Sequence, residues 1–236
     1  MATLPSPSSW RVINVPGEAI HARPIQLWAT YYHLYRATTT PNGIPLLDKT
    51  GSPLPVTLSL KDWCHSALNG TTQITDQFGR TTVYHYAGRG ETPGADCSSF
   101  FSSLSADVKD KVSRVRFRPV EAPYGYGAKG LPMVPYRTIA VDRNTIPFGS
   151  VVYIPAARGT IVTLPSGEQV VHDGFFYAAD TGSALRGGHI DVYIGTAERN
   201  PFPFVTSSPS GSFAAYIVEE PGISNLLLAM HQQSFP

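Results

Sequence analysis

The sequence predicts a mainly β protein, on two observations. Aromatic residues make up 11% of its 236 residues and charged residues only 15%, with 21 Gly and 21 Pro, a mixture that favours short strands joined by turns over long solvated helices. The last third then carries seven short runs that alternate or stay apolar, each bounded by turn residues. At this length the chain holds one large domain, or one domain with a sizeable insertion.

Residues 1–24 are rich in Pro and Ser and read as an N-terminal arm. The run Gln26-Leu27-Trp28-Ala29-Thr30-Tyr31-Tyr32 has the β-branched and aromatic character of a strand. From Thr38 to Pro55, Gly and Pro punctuate what reads as a loop. A short helix is expected over Leu60–Leu68, with Ser59 as its N-cap and Asn69-Gly70 as its stop. A hairpin follows, Thr71–Thr75 and Arg80–Ala87 around a turn at Asp76–Gly79, and Ser105 caps a second helix over Ala106–Arg114. The seven later strands are expected at Thr138–Val141, Val151–Ile154, Thr160–Leu164, Glu168–His172, Phe175–Ala179, His189–Ile194 and Phe213–Glu219. Ile223–His231 is apolar and helix-like, and is expected to pack on the outside.

Charge and composition exclude several functions. A net charge of +1, without a Lys/Arg run, gives no electrostatic case for nucleic acid. No apolar stretch approaches the ~20 residues needed to cross a bilayer. Met1 to Trp10 has neither the basic nor the apolar region of a signal peptide, so the chain is either cytosolic or lacks a leader that an exported form carries. The two cysteines, Cys64 and Cys97, form a disulfide in an exported protein and stay free thiols in a cytosolic one. With no matching Cys/His cluster, neither a structural zinc nor any other metal or cofactor is expected.

Three segments carry the chemistry. Asp142 follows a strand and precedes Ile146-Pro147-Phe148-Gly149, where a carboxylate accepts backbone N–H bonds. Asp180-Thr181-Gly182 ends an apolar strand, and Gly187-Gly188 permits a tight return. Asp191 lies between Ile190 and Val192, so period-2 geometry puts it, with His189, on the opposite face of the strand from both. If that face lines a groove, partial burial raises the pKa of Asp191 and a nearby carboxylate, for which Asp180 is the candidate, raises it further. Such a group suits general acid catalysis near neutral pH. Each aspartate also has a plainer reading: turn capping for Asp142 and Asp180, and a buried carboxylate satisfied by backbone donors for Asp191.

These segments resemble the three-aspartate (3D) domain, a double-psi β-barrel of bacterial cell-wall proteins, and in particular the barrel of the membrane-bound lytic transglycosylase A family. The resemblance rests on Val141-Asp142-Arg143 with Ile146-Pro147 and Gly149, on Asp180-Thr181-Gly182 with Ala184 and Gly187, and on His189, Asp191, Tyr193 and Gly195. Ala29-Thr30-Tyr31-Tyr32 is similar to the first strand of these barrels and of expansins. The implied architecture is a barrel over residues 25–36 and 136–221, with an inserted mixed subdomain over 37–135 forming a groove wall, and a C-terminal helix and tail over 222–236. The implied reaction cleaves the β-1,4 bond between N-acetylmuramic acid and N-acetylglucosamine in peptidoglycan, leaving a 1,6-anhydro end. Asp191 serves as acid and base and Asp180 tunes it, while Tyr32, Thr30, Asp142, His189, Thr181 and Gly182 are expected to hold substrate. The resemblance further implies a monomer working in the periplasm, the cell envelope or outside the cell.

Three other readings compete. The first is a non-catalytic, expansin-like module that binds wall polysaccharide. The second is a cysteine peptidase of the NlpC/P60 type, since Ala95-Asp96-Cys97-Ser98-Ser99-Phe100 resembles its nucleophile motif and His189 would be the base. The third is an aspartic protease, which Asp180-Thr181-Gly182-Ser183 spells, but that chemistry needs two such turns and the sequence holds one.

Overall fold

A computed structural model of the chain describes residues 10–13, 21–182 and 185–232. Most of the N-terminal arm, together with Ser183 and Ala184 of the second motif, lies outside them. The chain divides into two compact units, Leu34–Gly125 and the residues on either side of it. The fold is mainly β, as expected, and the long insertion falls between the first and second strands of a closed barrel.

The barrel opens with β1 (Ala22–Tyr32), which starts before the strand read from the sequence and takes in the end of the arm. The chain then enters the first unit. Here β2 (Tyr35–Thr38), β3 (Ile44–Leu47) and β4 (Pro53–Leu58) precede helix α1 (Leu60–Asn69). They are followed by β5 (Thr71–Thr75), β6 (Thr81–Arg89), helix α2 (Ala106–Ser113) and β7 (Val115–Val120). Strands β2, β5, β6 and β7 form one sheet, and β3 pairs with β4. The stretch expected as a loop over 38–55 is therefore largely a hairpin. Its turn signals are real, because Asp48 accepts N–H bonds from Thr50 and Ser52 around a left-handed Gly51, but they connect strands instead of replacing them. Both helices keep the caps predicted for them. Ser59 Oγ accepts from Asp62 N–H, Gly70 closes α1 in the left-handed region, and Ser105 caps α2. Trp63, Leu46, Leu58 and Phe117 fill the core of this unit, and the Cys64–Cys97 disulfide lies among them, fully buried.

The chain re-enters the second unit and forms β8 (Thr138–Val141), β9 (Val151–Tyr153), β10 (Ile161–Thr163), β11 (Gln169–Val171), β12 (Phe175–Thr181), β13 (His189–Tyr193) and β14 (Phe213–Val218), ending in helix α3 (Pro221–Gln232). The barrel closes in the order β1-β13-β8-β12-β9-β14, while β10 and β11 form a hairpin outside it. Two pairs, β1 with β13 and β12 with β8, are parallel, and the other four are antiparallel. Ala29, Ile139, Val141, Ala178, Ile190 and Val192 point inward and pack into one core. Helix α3 lays Ile223, Leu227 and Met230 on the outside against Val151, Phe175 and Tyr177. No helix among the described residues is long and apolar enough to cross a membrane.

A buried ion pair ties the arm to this unit. Arg137 Nη1 and Nη2 donate to Asp173 Oδ1 and Oδ2 at 2.5 and 2.7 Å. Arg137 also donates to the Arg11 carbonyl at 2.6 Å, and Ile13 N–H donates to Asp173 at 2.6 Å. The Trp10 ring covers the guanidinium, 4.1 Å from its carbon. Asp173 is held below the ordinary carboxylate range: burial opposes ionisation, but Arg137 and two backbone N–H groups outweigh it.

Candidate active site

Because the inward positions of β1, β8 and β13 are apolar, the alternate positions fall on the outer face of the barrel. On β12, Asp180 has the parity of the inward Phe176 and Ala178, and a register irregularity between Tyr177 and Asp180 turns it to the same outer face. Register brings four of them into one row. Thr30 pairs with Asp191 across the β1–β13 ladder, Asp191 pairs with Ala140 on β8, and Ala140 pairs with Asp180 on β12. The two carboxylates thus flank a strand whose side chain between them is a single methyl. Two residues back along β1 and β13, on the same face, Trp28 pairs with His189, and their rings stack 3.5 Å apart and 11° from parallel.

The hydrogen bonds distinguish the two aspartates. Asp180 is fully engaged: Tyr32 Oη donates to Oδ2 at 2.8 Å, and the Ala128 and Thr181 N–H groups donate to Oδ1 at 3.0 and 2.8 Å. Burial nevertheless raises Asp180 above the usual carboxylate range, more than these donors lower it. Among the described residues, Asp191 has one side-chain donor, Thr30 Oγ1, 3.0 Å from Oδ1. Burial first, and then the charge of Asp180, push Asp191 up to about 6, against the lowering effect of Thr30. Burial and the neighbouring Asp180 keep the Tyr32 phenol well above its usual range, so it stays a donor. His189 is lowered by burial and is neutral near neutral pH.

The other expected site residues lie at the ends of these strands. Asp142 Oδ1 accepts from Asn144 N–H at 3.0 Å and Oδ2 from Gly187 N–H at 2.9 Å, and these bonds hold it below the ordinary range. It acts as a clasp between two turns. Asp142, Thr181 and Gly182 line a cavity of about 680 Å³ together with Arg143 and Arg186. Structure thus gathers Thr30, His189 and Asp191 in one hydrogen-bonded set and Tyr32 with Asp180 in a second. Asp142, Thr181 and Gly182 stand around the cavity, which Asp191 does not line.

Sequence reasoning missed three contributors. Trp28 lies two residues before Thr30, on the same face, which alternation alone could have flagged. Ala140 could be found only with the strand register in hand. Gly127 lets the segment that carries Ala128 approach Asp180, since a Cβ there would lie 2.5 Å from the Ala179 carbonyl oxygen. The cysteine-peptidase reading is overturned: Cys97 is bonded to Cys64 and fully buried, so it supplies no thiolate.

No curated protein matches the chain in sequence. Solved structures match its fold. *Escherichia coli* MltA with bound chitohexaose is 16% identical with a TM-score of 0.52, over 84% of this chain and 75% of that one. A membrane-bound lytic murein transglycosylase from *Agrobacterium tumefaciens* is 15% identical with a TM-score of 0.52, over 88% of this chain and 78% of that one. Residues 137–200, which hold Ala140, Asp142, Asp180, His189 and Asp191, match the family model of the 3D domain, and the chain has the fold of these lytic transglycosylases.

Proposed function

We propose that the protein is a peptidoglycan lytic transglycosylase acting in the cell envelope, with Asp191 as its acid and base. The observation that carries this reading is the contrast between the two carboxyls: Asp191 is pushed up to about 6 and, among the described residues, has a side-chain donor on one oxygen only, while Asp180 beside it is bonded through both. A carboxyl that is partly protonated near neutrality and has an uncommitted oxygen can give and take a proton.

In the proposed reaction the Asp191 proton passes to the glycosidic oxygen as the bond from C1 of the N-acetylmuramic acid breaks. The 6-hydroxyl of the same sugar then attacks C1, and its proton returns to Asp191. One bond to C1 is exchanged for another, no water is consumed, and the carboxyl ends as it began. The nucleophile belongs to the substrate, so a second catalytic carboxylate of the kind hydrolases use is unnecessary. Asp180 raises Asp191 by its charge, and Tyr32 with the Ala128 and Thr181 N–H groups fixes its position. The binding of chitohexaose by the *E. coli* relative supports a sugar-polymer substrate for this barrel.

The test is incubation of the purified protein with peptidoglycan sacculi and mass analysis of the soluble fraction. Muropeptides with 1,6-anhydro ends are expected. Protein that sediments with the sacculi and releases nothing would replace this reading with a polysaccharide-binding module.

A further inference from the structure

Thr30 Oγ1 lies between two partners, 3.0 Å from Asp191 Oδ1 and 2.9 Å from His189 Nε2. A hydroxyl has one proton to give. If it is given to Asp191, His189 must donate from Nε2 into the hydroxyl's lone pair. If His189 accepts instead, the hydroxyl is turned away from the carboxylate. The choice decides whether the carboxylate has a donor on Oδ1, and so which of its oxygens stays free.

We infer that His189 is a positioning residue, neutral and protonated on Nε2, which through Thr30 commits Asp191 Oδ1 as an acceptor and leaves Oδ2 to exchange the proton with substrate. The inference rests on the proposed catalytic role of Asp191, and it recasts Thr30 and His189, expected to hold substrate, as a relay behind the acid. Trp28 keeps the ring in place. It is the cross-strand partner of His189, stacked at 3.5 Å, so the imidazole cannot turn out of the plane that points Nε2 at Thr30 without losing that contact. An ionised Asp191 favours the same arrangement, since a hydroxyl donating to a carboxylate becomes a better acceptor for the next donor in the chain. Among the described residues, the titratable groups around Asp191 include His189 beyond Thr30, Tyr32 on β1, Asp180 on β12 and Tyr193 two residues along β13, whose ring packs 5.0 Å from that of Tyr32, while β8 places Ala140 opposite.

The tautomer is read directly by long-range nitrogen–proton correlation on the wild-type imidazole, and the Asp191 carboxyl is titrated by carbon NMR in the wild type and in Thr30→Val, His189→Phe and His189→Gln. The expected result is an Nε2–H tautomer at neutral pH and an Asp191 titration that rises by about one pH unit in Thr30→Val. His189→Phe, which retains a ring for Trp28 but no donor, should raise it by less, and His189→Gln, whose amide still donates, should restore it. The alkaline limb of the rate of sacculus solubilisation should move upward with the same order of effects. An Nδ1–H tautomer in the wild type overturns the relay without recourse to any variant, even if turnover is intact. An Asp191 titration unmoved in both Thr30→Val and His189→Phe also overturns it. The predicted tautomer in a wild type that cleaves nothing would instead refute the proposed function, and with it the positioning role.

Discussion

Replacing Asp191 with Asn should make the protein more stable at neutral pH. The Asp191 carboxyl titrates at about 6 in the folded protein, against an ordinary value of 3.8. A group raised in this way favours its neutral form, so the folded state loses stability as pH climbs from the unfolded value through the folded one. At about 1.4 kcal/mol per pH unit, that interval corresponds to ~3 kcal/mol lost by pH 7.5. Asn is close in shape, carries no charge and keeps a carbonyl for Thr30 to donate to, so it escapes this loss. At pH 3.5, where Asp191 is protonated in the folded state and mostly so in the unfolded one, the two proteins should be nearly equal in stability. For a chain of this length, ~3 kcal/mol corresponds to an increase of roughly 6–12 °C in melting temperature. Thermal unfolding followed by tryptophan fluorescence at pH 7.5 and pH 3.5, without reductant, measures both differences. If Asp191→Asn is no more stable at pH 7.5, or if its advantage is the same at both pH values, the carboxylate is not strained by its surroundings and the argument for its acidity fails.

Other perturbations have equally definite outcomes. Gly127→Ala places a methyl 2.5 Å from the Ala179 carbonyl oxygen and must push the Ala128 N–H away from Asp180; a loss of about 1–3 kcal/mol in stability, with a slowed sacculus digestion, is expected by denaturant titration and turbidity. Asp173→Ala leaves Arg137 buried without its acid, which should cost ~3–5 kcal/mol in the same titration and release the 10–13 segment to proteolysis. Removing the Cys64–Cys97 disulfide as the Cys64→Ser, Cys97→Ser double variant opens a loop of sequence separation 33, and should lower stability by about 4 kcal/mol on chain entropy. The refolded variant should still solubilise sacculi at low temperature, because neither sulfur takes part in the proposed chemistry.

What the sequence disclosed depended on how local each signal was. Helix α1 was legible end to end because Ser59 and Gly70 are punctuation that works within one turn. The barrel strands from Thr138 onward were legible because each alternates or stays apolar over its own length. The hairpin of β3 and β4 was not, since Pro45, Pro53 and Pro55 sit within its strands and break the usual pattern, while its pairing slips between Pro45 and Leu47. Strand β7 was missed although Val115-Arg116-Phe117-Arg118 alternates and was legible as a strand; what alternation could not show is that Arg116 is buried, donating to the carbonyls of Arg114, Val115 and Thr92. At the site, the face of Asp191 followed from Ile190 and Val192. The row that sets Thr30, Asp191 and Asp180 around Ala140 did not, because it is created by parallel and antiparallel pairing among β1, β13, β8 and β12, and register between distant strands leaves no local trace.

In the proposed reaction Asp191 cleaves the glycan by passing its proton to the leaving oxygen while the sugar's own hydroxyl closes on C1. Digestion of sacculi in heavy-oxygen water, with mass analysis of the products from wild type and Asp191→Asn, tests it most directly. Muropeptides one water lighter than hydrolysis products, free of heavy oxygen and absent from the Asp191→Asn digest, are expected. Products that carry heavy oxygen, or an undiminished yield from Asp191→Asn, would contradict that reaction.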